Sequence, residues 1–357
     1  MQTWLAWLHQ AISIFCQGIP VNEKPHLPRI ALIGCGGTIS SLGTSALDLM
    51  DYPEHGAKLD INEVLDRIPE LRKIADIVAA PFHGAGSTSL VPRDWLSLRA
   101  LIRRIATEQP DLDGFVIVHG TASLEETAFF LNLTLDVPHT VVLVGAQRPL
   151  SAVGTDASMN LIEAARVAAN PSSRGRGVLV VLNDEIHAAR DVVKSSTLRL
   201  DTFRSADFGA LGVVDADGIH YYRRVERPHA PDTAFAALTD DAQIPRVDIV
   251  YSYVGADATF IEAAIAKGAR GIVSAGFAPG IPARAEKAAL EEAVRQGVAV
   301  VQCTRAARGR VARRRYLEET GIIAGEDFSP QKARILLALG LAMTSDVETL
   351  KEWFRRY

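Results

Sequence analysis

Two patterns predict an α/β protein with a mainly parallel sheet, and a third predicts that it is divided in two. The first pattern is a series of short apolar runs rich in β-branched residues: Ile30–Ile33, Ile77–Ala79, Phe115–Val118, Val141–Val144 and Val178–Leu182. Runs of this kind, with no polar alternation, read as strands buried on both faces. The second is the set of longer amphipathic segments between them, Arg93–Glu108, Leu124–Leu133 and Asp156–Ala169, which have the length of crossover helices. The third is a polar, Pro-containing stretch from Arg223 to Arg246, after which the strand pattern resumes at Val247–Val250, Gly271–Val273 and Val298–Val301. Helices are expected near Ser329 to Met343 and Asp346 to Phe354. The predicted organisation is an N-terminal extension (1–27), a large α/β domain (28–222), a linker (223–246) and a smaller three-layer α/β domain (247–357).

Composition agrees with two soluble domains. The chain has 357 residues, of which 48% are hydrophobic and 22% charged, and about 150 residues per domain is a usual divisor. A net charge of −4 lacks the basic footprint of a nucleic-acid binder, so the expected partner is a small molecule or a protein. Three widely spaced cysteines, Cys16, Cys35 and Cys303, form neither a disulfide framework nor a metal-spaced set. A reducing, cytoplasmic compartment is expected. The extension carries Trp4, Leu5, Trp7, Leu8 and Ile12 and reads as a short apolar helix; it lacks an early basic residue, and His9 and Gln10 interrupt it, unlike a secretory signal. No run of eighteen apolar residues suggests a membrane span.

In an open parallel sheet, chemistry gathers beyond the carboxyl ends of the strands. After the first run comes Gly34-Cys-Gly-Gly-Thr-Ile-Ser40. Its glycines permit a sharp turn, but Ile39 stands where a dinucleotide fingerprint needs glycine, leaving a structural, phosphate-cradling or catalytic loop. After the third comes His119-Gly-Thr-Ala-Ser-Leu-Glu-Glu-Thr127. Thr121 or Ser123 reads as a helix N-cap, while the backbone donors there also suit a carboxylate or oxyanion. After the fifth comes Asn183-Asp184 and then Arg190-Asp-Val-Val-Lys194.

Taken in order with Val144-Gly-Ala-Gln-Arg-Pro149, Val273-Ser-Ala-Gly276 and Pro330-Gln-Lys-Ala-Arg334, these motifs resemble the bacterial-type L-asparaginase family from Pro28 to the C-terminus. The resemblance implies a large flavodoxin-like N-terminal domain and a small C-terminal one. It further implies homodimers or homotetramers with sites near the interface, and amide hydrolysis through an acyl-enzyme without metal or organic cofactor. By motif, Thr38 resembles the nucleophile and Tyr52 its hydroxyl partner on a mobile segment, Leu42 to His55. Thr121 and Lys194 resemble the pair that serves the attacking water. Ser87 resembles the ligand of the substrate carboxylate, and the backbone at Ala146 part of the site for the scissile amide. His119 matches a structural histidine, and Cys35 reads as a buried thiol.

The sequence departs from the family at the substrate's ammonium group. Ala122 stands where the family has aspartate, Thr88 where it has glutamine, and Gly255 where it has asparagine. The segment Arg308–Arg315, expected to supply an acid, is basic. Glu125 and Glu126 are expected to point away from Ala122 and to play structural parts. The expected substrate is an amide bearing a carboxylate but no free α-amino group: a succinamate-like or N-substituted amide, a lactam or an imide. The alternatives are a genuine L-asparaginase or glutaminase, and a catalytically degenerate ligand-binding protein.

Overall fold

Strands without polar residues need cover on both faces, and the chain provides it with helices on either side of one long sheet. The computed structural model describes residues 27–82 and 86–357. The apolar extension, expected to be helical, falls outside the described residues except for Leu27. The strands β1 (Arg29–Gly34), β2 (Asp76–Pro81), β3 (Gly114–Val118), β4 (Thr140–Val144) and β5 (Val178–Leu182) pair in parallel in the order β2-β1-β3-β4-β5. On one face lie α1 (Ile61–Arg67) and α4 (Ala157–Ala169), on the other α2 (Pro92–Glu108) and α3 (Leu124–Thr134).

The sheet is longer and more mixed than its apolar runs announce. Beyond β5, the strand β6 (Glu185–Ala188) turns back antiparallel through Asn183 and Asp184, both with left-handed φ (54° and 62°). Asn and Asp tolerate that region, which the two-residue hairpin requires. A short ribbon follows, β7 (Val193–Lys194) against β8 (Phe203–Arg204), and then the hairpin β9 (Gly212–Asp215) and β10 (Gly218–Tyr221) completes an eight-stranded sheet.

The second domain is a parallel sheet of β11 (Val247–Tyr251), β12 (Gly271–Gly276), β13 (Ala299–Thr304) and β14 (Ile323–Ala324). Helices α5 (Thr259–Ala266) and α6 (Arg284–Arg295) cover one face; α7 (Pro330–Met343) and α8 (Val347–Arg356) cover the other. The core of α7 is continuous with that of α3, so the two domains share packed apolar surface. The stretch 223–246 is itself packed. Phe235 is fully buried against Trp353 and Tyr357, with ring centroids 4.9 and 5.2 Å away. Arg99, also buried, donates to the carbonyls of Thr134 and Ala236 at 2.8 and 3.0 Å.

One buried acid makes stability depend on pH. Glu163 on α4 is buried beside Asp184, and burial, reinforced by that neighbour, pushes its carboxyl up to about 8. The native chain thus keeps a proton that the unfolded chain releases near 4.5, so this contribution is full below about 4.5 and is lost as pH rises through about 8. Glu163→Gln is expected to flatten the loss of unfolding free energy across that window and to be the more stable protein above it. Urea titrations at a series of pH values check this; parallel curves for the two proteins would exclude it.

Candidate active site

β1 and β3 are neighbours, so the loops leaving their carboxyl ends emerge about 4.8 Å apart and must pass without side chains between them. Glycines meet that demand. Gly37 has φ of 102°, and a β-carbon built on it would stand 2.4 Å from the Cα of Gly120. On Gly120 itself a β-carbon would stand 2.4 Å from the Ser87 hydroxyl oxygen. The backbone N–H of Cys35 extends the ladder by donating to the Val118 carbonyl at 2.8 Å. Thr38 and Thr121 each follow one of the touching glycines, which puts their loops side by side.

Each threonine has one polar partner. Thr38 Oγ1 lies 2.7 Å from the Tyr52 hydroxyl, and Lys194 Nζ donates to Thr121 Oγ1 at 2.8 Å. Thr38 begins a single 3₁₀ turn, Thr38–Ser40. Tyr52 opens a one-turn helix, Tyr52–His55, and is carried back by the pairing of Ser41–Leu42 with Ala57–Lys58. Lys194 ends β7, where Phe203 is its partner on β8. Burial draws the Lys194 ammonium below the usual lysine range, against the pull of the Glu125 carboxylate. A lysine so placed is nearer to the neutral form that a base requires.

Ser87 joins the pairs through its main chain, whose carbonyl accepts from Ser123 Oγ at 2.6 Å. Ser123 precedes α3 but spends its hydroxyl on Ser87, and no side chain caps that helix. The N-cap reading of Thr121 or Ser123 is therefore replaced by two site-building contacts. Thr88 is exposed beside Ser87, and Ala122 is exposed beside buried Thr121. Ala146 is fully buried in the turn after β4; next to it, Gly145 is held by Asn160 Nδ2 at 3.0 Å and lies against the Thr121 methyl.

His119 is a prop. Its Nδ1 lies 2.8 Å from the Gly120 carbonyl and its Nε2 3.1 Å from Thr127 Oγ1, which accepts from the Trp95 indole at 2.9 Å. Burial lowers its pKa to about 4, so the ring is neutral and its Nδ1–H is the donor to Gly120. Cys35 is likewise inert, its thiol pushed up to about 12 by burial.

Along nearly its whole length the chain is similar to known proteins. A family model described as "Asparaginase, N-terminal" matches residues 29–227, and one described as "Glutaminase/Asparaginase C-terminal domain" matches residues 246–354. The chain belongs to the asparaginase family. It is 37% identical over 336 residues to L-asparaginase 2 of Bacillus subtilis, covering 94% of this chain and 88% of the relative. It is 35% identical over 347 residues to a probable periplasmic L-asparaginase of Haemophilus influenzae, covering 97% of each. The crystal structure of a probable cytoplasmic L-asparaginase from Campylobacter jejuni superposes with a TM-score of 0.86 at 37% identity, covering 92% of this chain and all of that one. Membership makes the chain an amidohydrolase with the two-domain asparaginase fold. No helix among the described residues is long and apolar enough to cross a membrane.

The partners of Glu125 escaped the sequence reading. Glu125, expected to serve a structural part away from Ala122, accepts from the backbone N–H of Lys194 and, at 2.7 Å, from Gln331 Nε2. No spacing rule could reveal that, because the bonds span 69 and 206 positions. The basic segment finds partners nearby: Arg310 and Arg313 pair with Glu326 at 2.5 and 3.7 Å, and Arg315 with Glu319 at 2.7 Å.

The glycine contact is open to a direct test. Gly37→Ala is expected to force the two loops apart, costing roughly 1–3 kcal/mol of backbone strain and, for a displacement near 1 Å, about 10²-fold in amide turnover. Steady-state rates and a melting curve check both effects; a variant as active as the parent would contradict the contact.

Proposed function

We propose that this asparaginase-family amidohydrolase cleaves a carboxylate-bearing amide through a Thr38 ester, and that it recognises a free α-amino group poorly. The observation that carries the reading is the pair of separate dyads, Thr38 with Tyr52 and Thr121 with Lys194, on loops in contact. A threonine hydroxyl is a weak nucleophile and needs a partner to take its proton. In the first step Thr38 Oγ1 attacks the amide carbonyl, its proton passes toward Tyr52, and the nitrogen leaves protonated as ammonia or an amine. In the second, Thr121 and neutral Lys194 take a proton from water, which attacks the ester and restores the Thr38 hydroxyl. Backbone donors about Ala146 receive the carbonyl oxygen, and Ser87 with its neighbouring backbone binds the substrate carboxylate.

The specificity reading rests on what surrounds Ala122. Ala122 is exposed and brings no charge. Neither nearby glutamate is free to replace an aspartate there: Glu125 has both oxygens engaged by Lys194 N–H and Gln331, and Glu126 pairs with Arg334 at 3.2 Å. An ammonium buried without a partner is unfavourable by several kcal/mol, which disfavours ordinary asparagine. Retention of both threonines and the lysine speaks against a degenerate binding protein. Exposed Tyr251, Val254 and Phe260 at the edge of the small domain support assembly into a homodimer or homotetramer. Free cysteines, Cys35 half-buried and Cys303 buried, agree with a reducing, cytoplasmic setting.

The test compares L-asparagine, L-glutamine, succinamate, N-acetyl-asparagine and a cyclic imide, with Thr38→Ala as the blank. Turnover is expected for compounds without a free amino group. Ala122→Asp is expected to raise kcat/KM for L-asparagine about 10–100-fold, the worth of one charge-assisted hydrogen bond of about 1.5–3 kcal/mol. Unchanged selectivity in that variant, or rapid asparagine turnover by the parent, overturns the specificity; activity surviving Thr38→Ala overturns the nucleophile.

A further inference from the structure

Glu125 is where the catalytic lysine, the helix behind Thr121 and the second domain meet. It is buried in the first turn of α3, and its two oxygens are divided between the main-chain N–H of Lys194 and the side chain of Gln331 on α7. The following residue of α7, Lys332, is wholly buried and donates to three carbonyls of the loop before Lys194: Ala189 at 3.0 Å, Arg190 at 2.8 Å and Val192 at 2.5 Å. Three N–H groups on three carbonyls saturate an ammonium. One turn on, Arg334 holds Glu126. A single small-domain helix therefore grips both the strand that carries Lys194 and the helix that follows Thr121.

We propose that Glu125, clamped across the domain boundary by Gln331, is a positioning residue that sets the reach and the proton affinity of Lys194. The inference rests on Lys194 acting as the base of the second step.

Charge bookkeeping around the amine supports the assignment. From α3 comes Glu125, and from α7 Lys332; the loop itself supplies Arg190 and Asp191, with Asp327 just before α7. Arg190 is spent on Asp327 at 2.6 and 3.0 Å, and Asp191 takes Arg223 at 3.2 Å. On β8, Arg204 turns to Asp201 at 2.5 Å and Glu185 at 3.6 Å. Thr121 presents a neutral hydroxyl, and Ala122 presents nothing charged. Glu125 is thus the carboxylate whose field reaches Lys194, and it opposes the burial that drives the ammonium toward neutrality.

The experiment is a charge relocation that preserves the hydrogen bonds. In the double variant Glu125→Gln/Gln331→Glu, the amide at 125 still accepts from the Lys194 N–H and donates to the carboxylate now at 331. Only the charge moves away from the lysine. Two readouts follow: the acid limb of kcat, and the pH titration of the Lys194 methylene in protein labelled with ¹³Cε-lysine, assigned by its loss in Lys194→Gln. Both are expected to fall by about one pH unit. Gln331→Leu leaves the Glu125 charge with one donor fewer, and both are expected to rise. It also stands in as the test should the double variant fail to fold. Resonance and limb unmoved in a folded variant overturn the inference. If the resonance moves as expected while the parent hydrolyses no amide, the inference holds and the proposed function falls.

Discussion

Gly37 and Gly120 stand back to back at the carboxyl edges of two adjacent strands, and that contact determines where Thr38 and Thr121 can be. Parallel strands fix the spacing of their loops to within an ångström or so, but the loops can use that spacing only if no β-carbon intervenes. Once the backbones touch, Thr38 and Thr121 follow as next neighbours in their chains. Ser87 is packed against the same glycine from a third loop. The central strands β1, β3 and β4 below are almost wholly apolar and buried, so they give the rigid base on which hydroxyls can be held to a fraction of an ångström.

Polar groups around this base are arranged with a marked asymmetry. On the Thr38 side the partner is a phenol carried on a short, exposed segment that includes Leu47 and Met50. On the Thr121 side the partner is a lysine fixed by elements of both domains. The loop leading to it is tethered by carbonyls to buried Lys332, which burial lowers to about 8 while Glu125 and Asp191 raise it. In the two-step reaction proposed above, the exposed segment carries the dyad that would close over the amide, and the anchored dyad serves water.

Much of this was legible in the sequence, for reasons that differ between elements. The five parallel strands were, because Ile30–Ile33 and its counterparts contain nothing that water could solvate. The antiparallel strands β6, β9 and β10 were not: Glu185-Ile-His-Ala188 is short and half polar, and only its position beside β5 makes it a strand. Thr38, Thr121 and Lys194 came from motifs in order along the chain, since 73 positions separate Thr121 from the lysine it meets. The structural part expected of Glu125 was legible but its partners were not, because helical geometry alone says which way a side chain leaves its helix. It does not say which distant backbone will arrive there.

In the proposed reaction Thr38 Oγ1 carries the acyl group while Lys194 serves water. The most direct measurement is peptide mass analysis of the Lys194→Met variant, acid-quenched after mixing with an amide it accepts. The predicted result is an acyl ester accumulating on the peptide that contains Thr38. An adduct on Thr121, or full turnover without Lys194, would contradict the division of labour between the two threonines.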